Sequence, residues 1–96
     1  EASLVLDAAR QQARWQGQLL NLTRIEFELL ALLAGQPGRI YSRDQLMDMI
    51  YPDHRVVHDR TIDSHIKKLR LKLKAAVPDQ DIIQSVYGVG YKAELP

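Results

Sequence analysis

Residues 59–74, DRTIDSHIKKLRLKLK, form a basic island in a chain of 96 residues whose remaining residues sum to a net −3. Six Lys/Arg (Arg60, Lys67, Lys68, Arg70, Lys72 and Lys74) stand against two acids (Asp59, Asp63), a local net of +4 where the whole protein sums to +1. Read at a helical period, Ile62, Ile66, Leu69 and Leu73 fall on one narrow stripe. At about 100° per residue, the opposite face carries Arg60, Ser64, Lys67, Lys68 and Leu71, with Thr61 beside them. One side of such a helix docks on a core. The other offers cations, hydroxyls and one methyl-rich side chain to something anionic, a combination suited to the major groove of double-stranded DNA. A solvated basic face, a calmodulin-type target and a membrane-surface helix are the alternatives. The last two call for a broad apolar face with bulky aromatics, whereas this stripe is narrow and holds only Ile and Leu.

Other residue clusters carry less. His54 and His58 are spaced i, i+4, but in an irregular Pro-containing stretch with no further ligand type around them, so no metal is expected. His65, at the edge of the basic helix, is placed to bond a phosphate or a neighbouring side chain. Gly88-Val-Gly90 precedes a strand rather than a helix and is not a dinucleotide fingerprint. Asp44 and Asp48 share a helix face without a nucleophile or base, so paired-carboxylate catalysis has no support. No enzyme and no cofactor are expected.

The elements that must position the basic helix follow from length and pattern. Ninety-six residues with 46% hydrophobic and 26% charged content suit one globular domain. No apolar run reaches the ~18 residues of a membrane span. The absence of cysteine excludes disulfides and fits a reducing cytoplasm. The chain begins at Glu1 rather than Met and is expected to be part of a longer protein.

Three short strands are predicted at 4–7, 13–16 and 18–22, with a tight hairpin at Gly17. Thr23 with Glu26 forms a capping box, stapled by Leu22 and Phe27, and opens a helix that buries Phe27, Leu30, Leu33 and Ala34. Gly35, Pro37 and Gly38 end it. A short extended piece at 39–41 leads to a second box, Ser42 with Gln45, stapled by Tyr41 and Leu46. This opens a helix running to about Ile50, before Pro52. Residues 51–58 read as irregular, and Asp59 as the N-cap of the basic helix, which spans about 59–75. The C-terminal stretch, about 82–93, alternates as two strands around a turn at Gly88 and Gly90. The expected fold is α+β: a small N-terminal antiparallel sheet, three helices and a C-terminal β-hairpin wing, the layout of a winged helix-turn-helix.

The strings LTRIEFELLALLAGQPGRIYSRDQL, DRTIDSHIKKLRLKL and VYGVGYK carry a resemblance that covers the entire chain. It resembles the C-terminal effector domain of OmpR/PhoB-type bacterial response regulators. The resemblance implies a sequence-specific DNA-binding output domain of a two-component transcription factor. It also implies a phosphorylated receiver domain on the N-terminal side that drives pairing on direct-repeat half-sites, while the isolated domain stays monomeric.

Carried over by position, Arg60 and Thr61 contact phosphates and groove edges at the start of the recognition helix, and Ser64, Lys67, Lys68 and Leu71 face the groove. Lys68 stands where relatives often place a base-reading Arg; a Lys reaches guanine acceptors without a planar fork. Leu71 suits a thymine methyl, and Arg70 a flanking phosphate. Tyr51 matches an aromatic beside the DNA backbone; Ser85 and Tyr91 match phosphate-contacting wing positions. Several relatives carry Arg at the wing tip, where this chain has Tyr87, which cannot exploit a narrow minor groove in the same way. The loop with Pro52, Asp53, His54 and Arg55 corresponds to one that meets RNA polymerase in some members. A rival reading keeps the same fold as a protein-interaction module that holds an acidic partner with this loop and the basic helix.

Overall fold

The structure is a computed structural model that describes residues 4–51 and 60–95, with Arg60 and Thr61 as helix backbone only. Strands β1 (Leu4–Asp7), β2 (Gln12–Trp15) and β3 (Gln18–Leu20) form an antiparallel meander. Gln16 (φ 49°) and Gly17 (φ 84°) both take the left-handed region, as a two-residue hairpin of the I′ kind requires. β2 lies one residue earlier than the alternation implies and β3 two residues shorter, because Asn21 and Leu22 turn towards the first helix. Ala13, Trp15 and Leu20 point inward, and the opposite face of the sheet is wet.

Helix α1 (Arg24–Gly35) starts where the capping box places it. The Glu26 amide donates to Thr23 Oγ1 at 3.2 Å and the Thr23 amide to Glu26 Oε1 at 3.0 Å. Helix α2 (Arg43–Ile50) repeats the device, the Gln45 amide donating to Ser42 Oγ and the Ser42 amide to Gln45 Oε1. Both boxes satisfy amides that the first helical turn leaves without a partner. Helix α3 (Arg60–Ala76) runs one residue past the expected end and stops before Pro78. Its expected N-cap, Asp59, lies outside the described residues. Strands β4 (Ile83–Val86) and β5 (Gly90–Ala93) form the hairpin wing.

The core lies where α1 packs on α3, α2 and β5. Ile62, Ile66, Leu69 and Leu73 of α3 are all buried there, against Leu29, Leu30, Leu33 and Leu46. The expected extended piece is narrower than predicted: Tyr41 forms an isolated antiparallel bridge with Tyr91, each amide donating to the other's carbonyl at 2.8 and 2.9 Å. This adds a one-residue third strand to the wing. The two glycines of the wing serve different ends. Gly88 turns the hairpin at φ 74°, whereas Gly90 allows close approach, since a Cβ there would overlap the Tyr41 carbonyl. No helix among the described residues is long and apolar enough to cross a membrane.

Candidate nucleic-acid interface

With the Ile/Leu stripe of α3 buried, the opposite face is turned outward. Ser64, Lys67, Lys68, Arg70 and Leu71 are all exposed, Leu71 to 65%. A single exposed leucine is common on protein surfaces; what marks Leu71 is its place among the exposed cations of this face. Beside it, the wing projects Tyr87, whose side chain is fully exposed at the hairpin tip. Between α3 and the base of the wing runs a groove of about 410 Å³, lined by Asp63, Lys67, Arg70, Leu71, Lys74 and Tyr91 among others. A second cleft, of about 630 Å³, separates the start of α2 from the wing and is lined by Ser42, Arg43 and residues 85–91.

Polar contacts tie the wing to the helices. Arg70 Nη1 donates to Ser85 Oγ at 2.9 Å. Lys74 Nζ meets Asp81 Oδ1 at 2.9 Å, which with nearby Arg70 holds that carboxylate below its ordinary range. Tyr91 Oη donates to Asp63 Oδ1 at 2.6 Å, and Arg43 Nε donates to the same oxygen at 3.0 Å. Burial pushes the Tyr91 phenol up, and the bond to Asp63 pushes it further. The charge of Asp63 raises the Arg43 guanidinium in turn. Tyr51, half-buried at the end of α2, has its hydroxyl 3.5 Å from His65 Nε2.

These contacts change what the wing residues can do. A phosphate oxygen only accepts hydrogen bonds, and a phenol has one hydrogen to give. In this arrangement Tyr91 donates to Asp63, and a phosphate contact would require the phenol to exchange that acceptor. Ser85 differs, because it accepts from Arg70 and keeps its own hydrogen. Arg70 has further donors in its fork.

The described site residues Tyr51, Ser64, Lys67, Lys68, Arg70, Leu71, Ser85, Tyr87 and Tyr91 thus line α3, the end of α2 and the wing. Pro52, Asp53, His54 and Arg55 fall outside the described residues. Sequence reasoning missed Asp63 and Arg43 as the joint between wing and helices. It also missed Lys72, which turns away from the groove face to Glu26, 2.7 Å distant. A lone acid within a basic helix was the available signal for Asp63.

Comparison with known proteins agrees with this geometry. Residues 17–93 match the family described as transcriptional regulatory protein, C terminal. Two Escherichia coli proteins are similar in sequence. The transcriptional regulatory protein BaeR is 52% identical over 94 residues, covering 98% of this chain and 39% of that protein. The transcriptional regulatory protein CreB is 46% identical over 86 residues, covering 90% and 38%. The chain therefore spans well under half the length of these relatives.

Among solved structures, the DNA-binding domain of the response regulator AdeR, in complex with an intercistronic region, superposes with a TM-score of 0.86 at 29% identity, covering 100% of this chain and 98% of that one. The DNA-binding domain of CpxR from Escherichia coli gives 0.82 at 36% identity, covering 99% and 94%. A winged-helix architecture, matched over nearly the whole chain, accompanies the family match. The chain belongs to the family of C-terminal domains of transcriptional regulatory proteins.

Proposed function

We propose that this domain binds double-stranded DNA sequence-specifically, as the output domain of a two-component transcriptional response regulator. The observation that carries the reading is the exposed face of α3, where Ser64, Lys67, Lys68 and Leu71 stand opposite a fully buried Ile/Leu stripe. Cations and a hydroxyl suit phosphates and base edges; an exposed leucine suits a thymine methyl. α3 lies in the major groove, Lys68 and Leu71 read bases, and Arg60, Thr61 and Arg70 meet phosphates. Ser85 donates to the backbone beside the wing, Tyr87 lies along the sugar-phosphate wall, and Tyr51 borders the backbone through its contact with His65. Tyr91 acts by bracing the wing. The AdeR complex supports a DNA-bound use of this architecture.

In the longer protein, a receiver domain pairs two copies on direct-repeat half-sites in the cytoplasm, and the loop with Pro52, Asp53, His54 and Arg55 meets RNA polymerase. These assignments rest on the family resemblance.

The test is a selection from random duplex DNA followed by a salt titration on the selected site. About four neutralised phosphates, at about −0.9 each, give a log–log slope of roughly −3 to −4 per domain. The overall charge of +1 provides little long-range attraction, so the isolated domain binds weakly. Salt-insensitive binding, or enrichment of no sequence, would sink the reading. An acidic protein partner, the rival, would compete with DNA for α3 without selecting a base sequence.

A further inference from the structure

Three elements meet at one carboxylate oxygen. Arg43 opens α2, Asp63 lies in the first turn of α3, and Tyr91 sits on β5; Asp63 Oδ1 accepts from both of the others, at 3.0 and 2.6 Å. Asp63 and Tyr91 are half-buried, so the contact is partly shielded from water. The bond to Tyr91 is short, as expected when a hydroxyl donates to a carboxylate. The Tyr91 backbone is fixed independently by its two bonds to Tyr41, which leaves the ring a defined approach to α3. Among the described residues, Arg70 also ties α3 to Ser85 of the wing, and Lys74 to Asp81 just before it, two and three turns further along that helix.

We infer that Asp63 is a positioning residue that fixes the angle of the wing relative to the recognition helix, through Tyr91 on one side and Arg43 on the other. The inference rests on the DNA-binding reading above, because the angle matters only if helix and wing must engage one duplex together. The geometry gives the lever. Tyr87 and Gly88 lie two to three residues beyond the braced rung, roughly 7–10 Å at about 3.3 Å per strand residue. A turn of about 15° at the brace moves the tip by roughly 2 Å, beyond the tolerance of a hydrogen bond. Removing the brace therefore leaves each contact surface intact and spoils their simultaneous fit.

The experiment measures residual dipolar couplings of backbone amides in the DNA-free protein for wild type, Asp63→Ala, Tyr91→Phe and the double variant. The couplings of β4 and β5 report wing orientation against those of α3. Both single variants should reorient or loosen the wing, and the double variant should do no more than Asp63→Ala, which removes the Arg43 and Tyr91 contacts together whereas Tyr91→Phe removes only the second. If Asp63→Ala does not fold, Tyr91→Phe carries the test alone. Couplings unchanged from wild type, even with a lower melting temperature, overturn the inference.

A second arm uses the selected duplex with single methylphosphonate substitutions that neutralise backbone phosphates one at a time. Wild type should lose about tenfold in affinity at the phosphates beside the wing, and Tyr91→Phe should lose less than twofold there. Equal losses in both proteins would count against the brace. If wild type does not prefer the selected duplex over random DNA, the DNA-binding reading fails, while the couplings still judge the brace.

Discussion

Glu26 Oε1 lies 2.7 Å from Lys72 Nζ and 3.0 Å from the Thr23 amide nitrogen, so the carboxylate that caps α1 also grips the flank of α3. Glu26 is buried, at 1% exposure, whereas the Lys72 side chain keeps 38%. Burial alone would raise the Glu26 pKa. The bond from Lys72, the amide and hydroxyl of Thr23 and the nearby positive charge together outweigh it and hold the group below its ordinary value.

A carboxyl with a lowered folded-state pKa contributes stability that is present above its unfolded value and lost as pH falls through the folded one. Glu26→Gln should therefore cost about 1–2 kcal/mol near neutral pH, a figure reduced by the partial exposure of Lys72. The gap to wild type should close progressively below about pH 4.5. Urea unfolding of both proteins across that range checks it. A gap that persists unchanged to pH 2 would assign the loss to shape rather than charge.

The wing's two glycines should separate under substitution. Gly88→Ala strains a left-handed backbone at about 1–2 kcal/mol, and Gly88→Asn should recover much of that, because Asn tolerates this region. Gly90→Ala should cost about 1–3 kcal/mol by driving a methyl into the Tyr41 carbonyl, and Gly90→Asn should be no better. Thermal melts of the four variants decide the matter, and rescue of Gly90 by Asn would contradict the packing explanation.

Leu71 and Lys68 should affect recognition without affecting folding. Leu71→Ala should change stability by less than about 0.5 kcal/mol, since the side chain is 65% exposed. On the selected site, replacing the contacted thymine by deoxyuridine should cost wild type about 0.5–1 kcal/mol, roughly one buried methyl, and Leu71→Ala nothing. Lys68→Ala should cost roughly 1–3 kcal/mol and relax preference at one base pair. Equal losses on specific and random DNA would remove Lys68 from base reading.

Tyr87 is fully exposed, so Tyr87→Ala should leave the melting temperature unchanged, weaken DNA binding modestly and preserve sequence preference. Tyr87→Arg should add preference for A-tract flanks, where a narrow minor groove concentrates negative potential. Competition between A-tract and G·C flanks measures both. An A-tract preference already present in wild type and abolished by Tyr87→Ala would place the phenol in the minor groove.

Much of the fold was legible because its signals are local. Thr23 with Glu26 and Ser42 with Gln45 announce helix starts within four residues, and the Ile62–Leu73 stripe states which side of α3 is buried. The exposed α3 face follows by subtraction. The joints were not legible. Asp63 finds Arg43 across 20 positions and Tyr91 across 28, while Glu26 finds Lys72 across 46. No periodicity encodes such pairings; they depend on the angles at which finished elements cross. Tyr91 shows the consequence: the resemblance implies a phosphate contact, and the structure adds a bond to Asp63 that no local pattern announces. Gly90 is similar, because a glycine near a hairpin suggests a turn while the structure uses it as a gap.

The paired amides of Tyr41 and Tyr91 also have a kinetic meaning. They join residues 50 positions apart and close a loop that contains the whole of α2 and α3. Closing so long a loop costs more chain entropy than forming helices whose contacts are local. A two-stranded hairpin is marginal without further support. The expected order is helices before the rung, which pulse-labelled amide protection of Tyr41 and Tyr91 during refolding checks. Freeing the wing would break this rung and expose Ile82, Ile83 and Ala93, which are buried in the core.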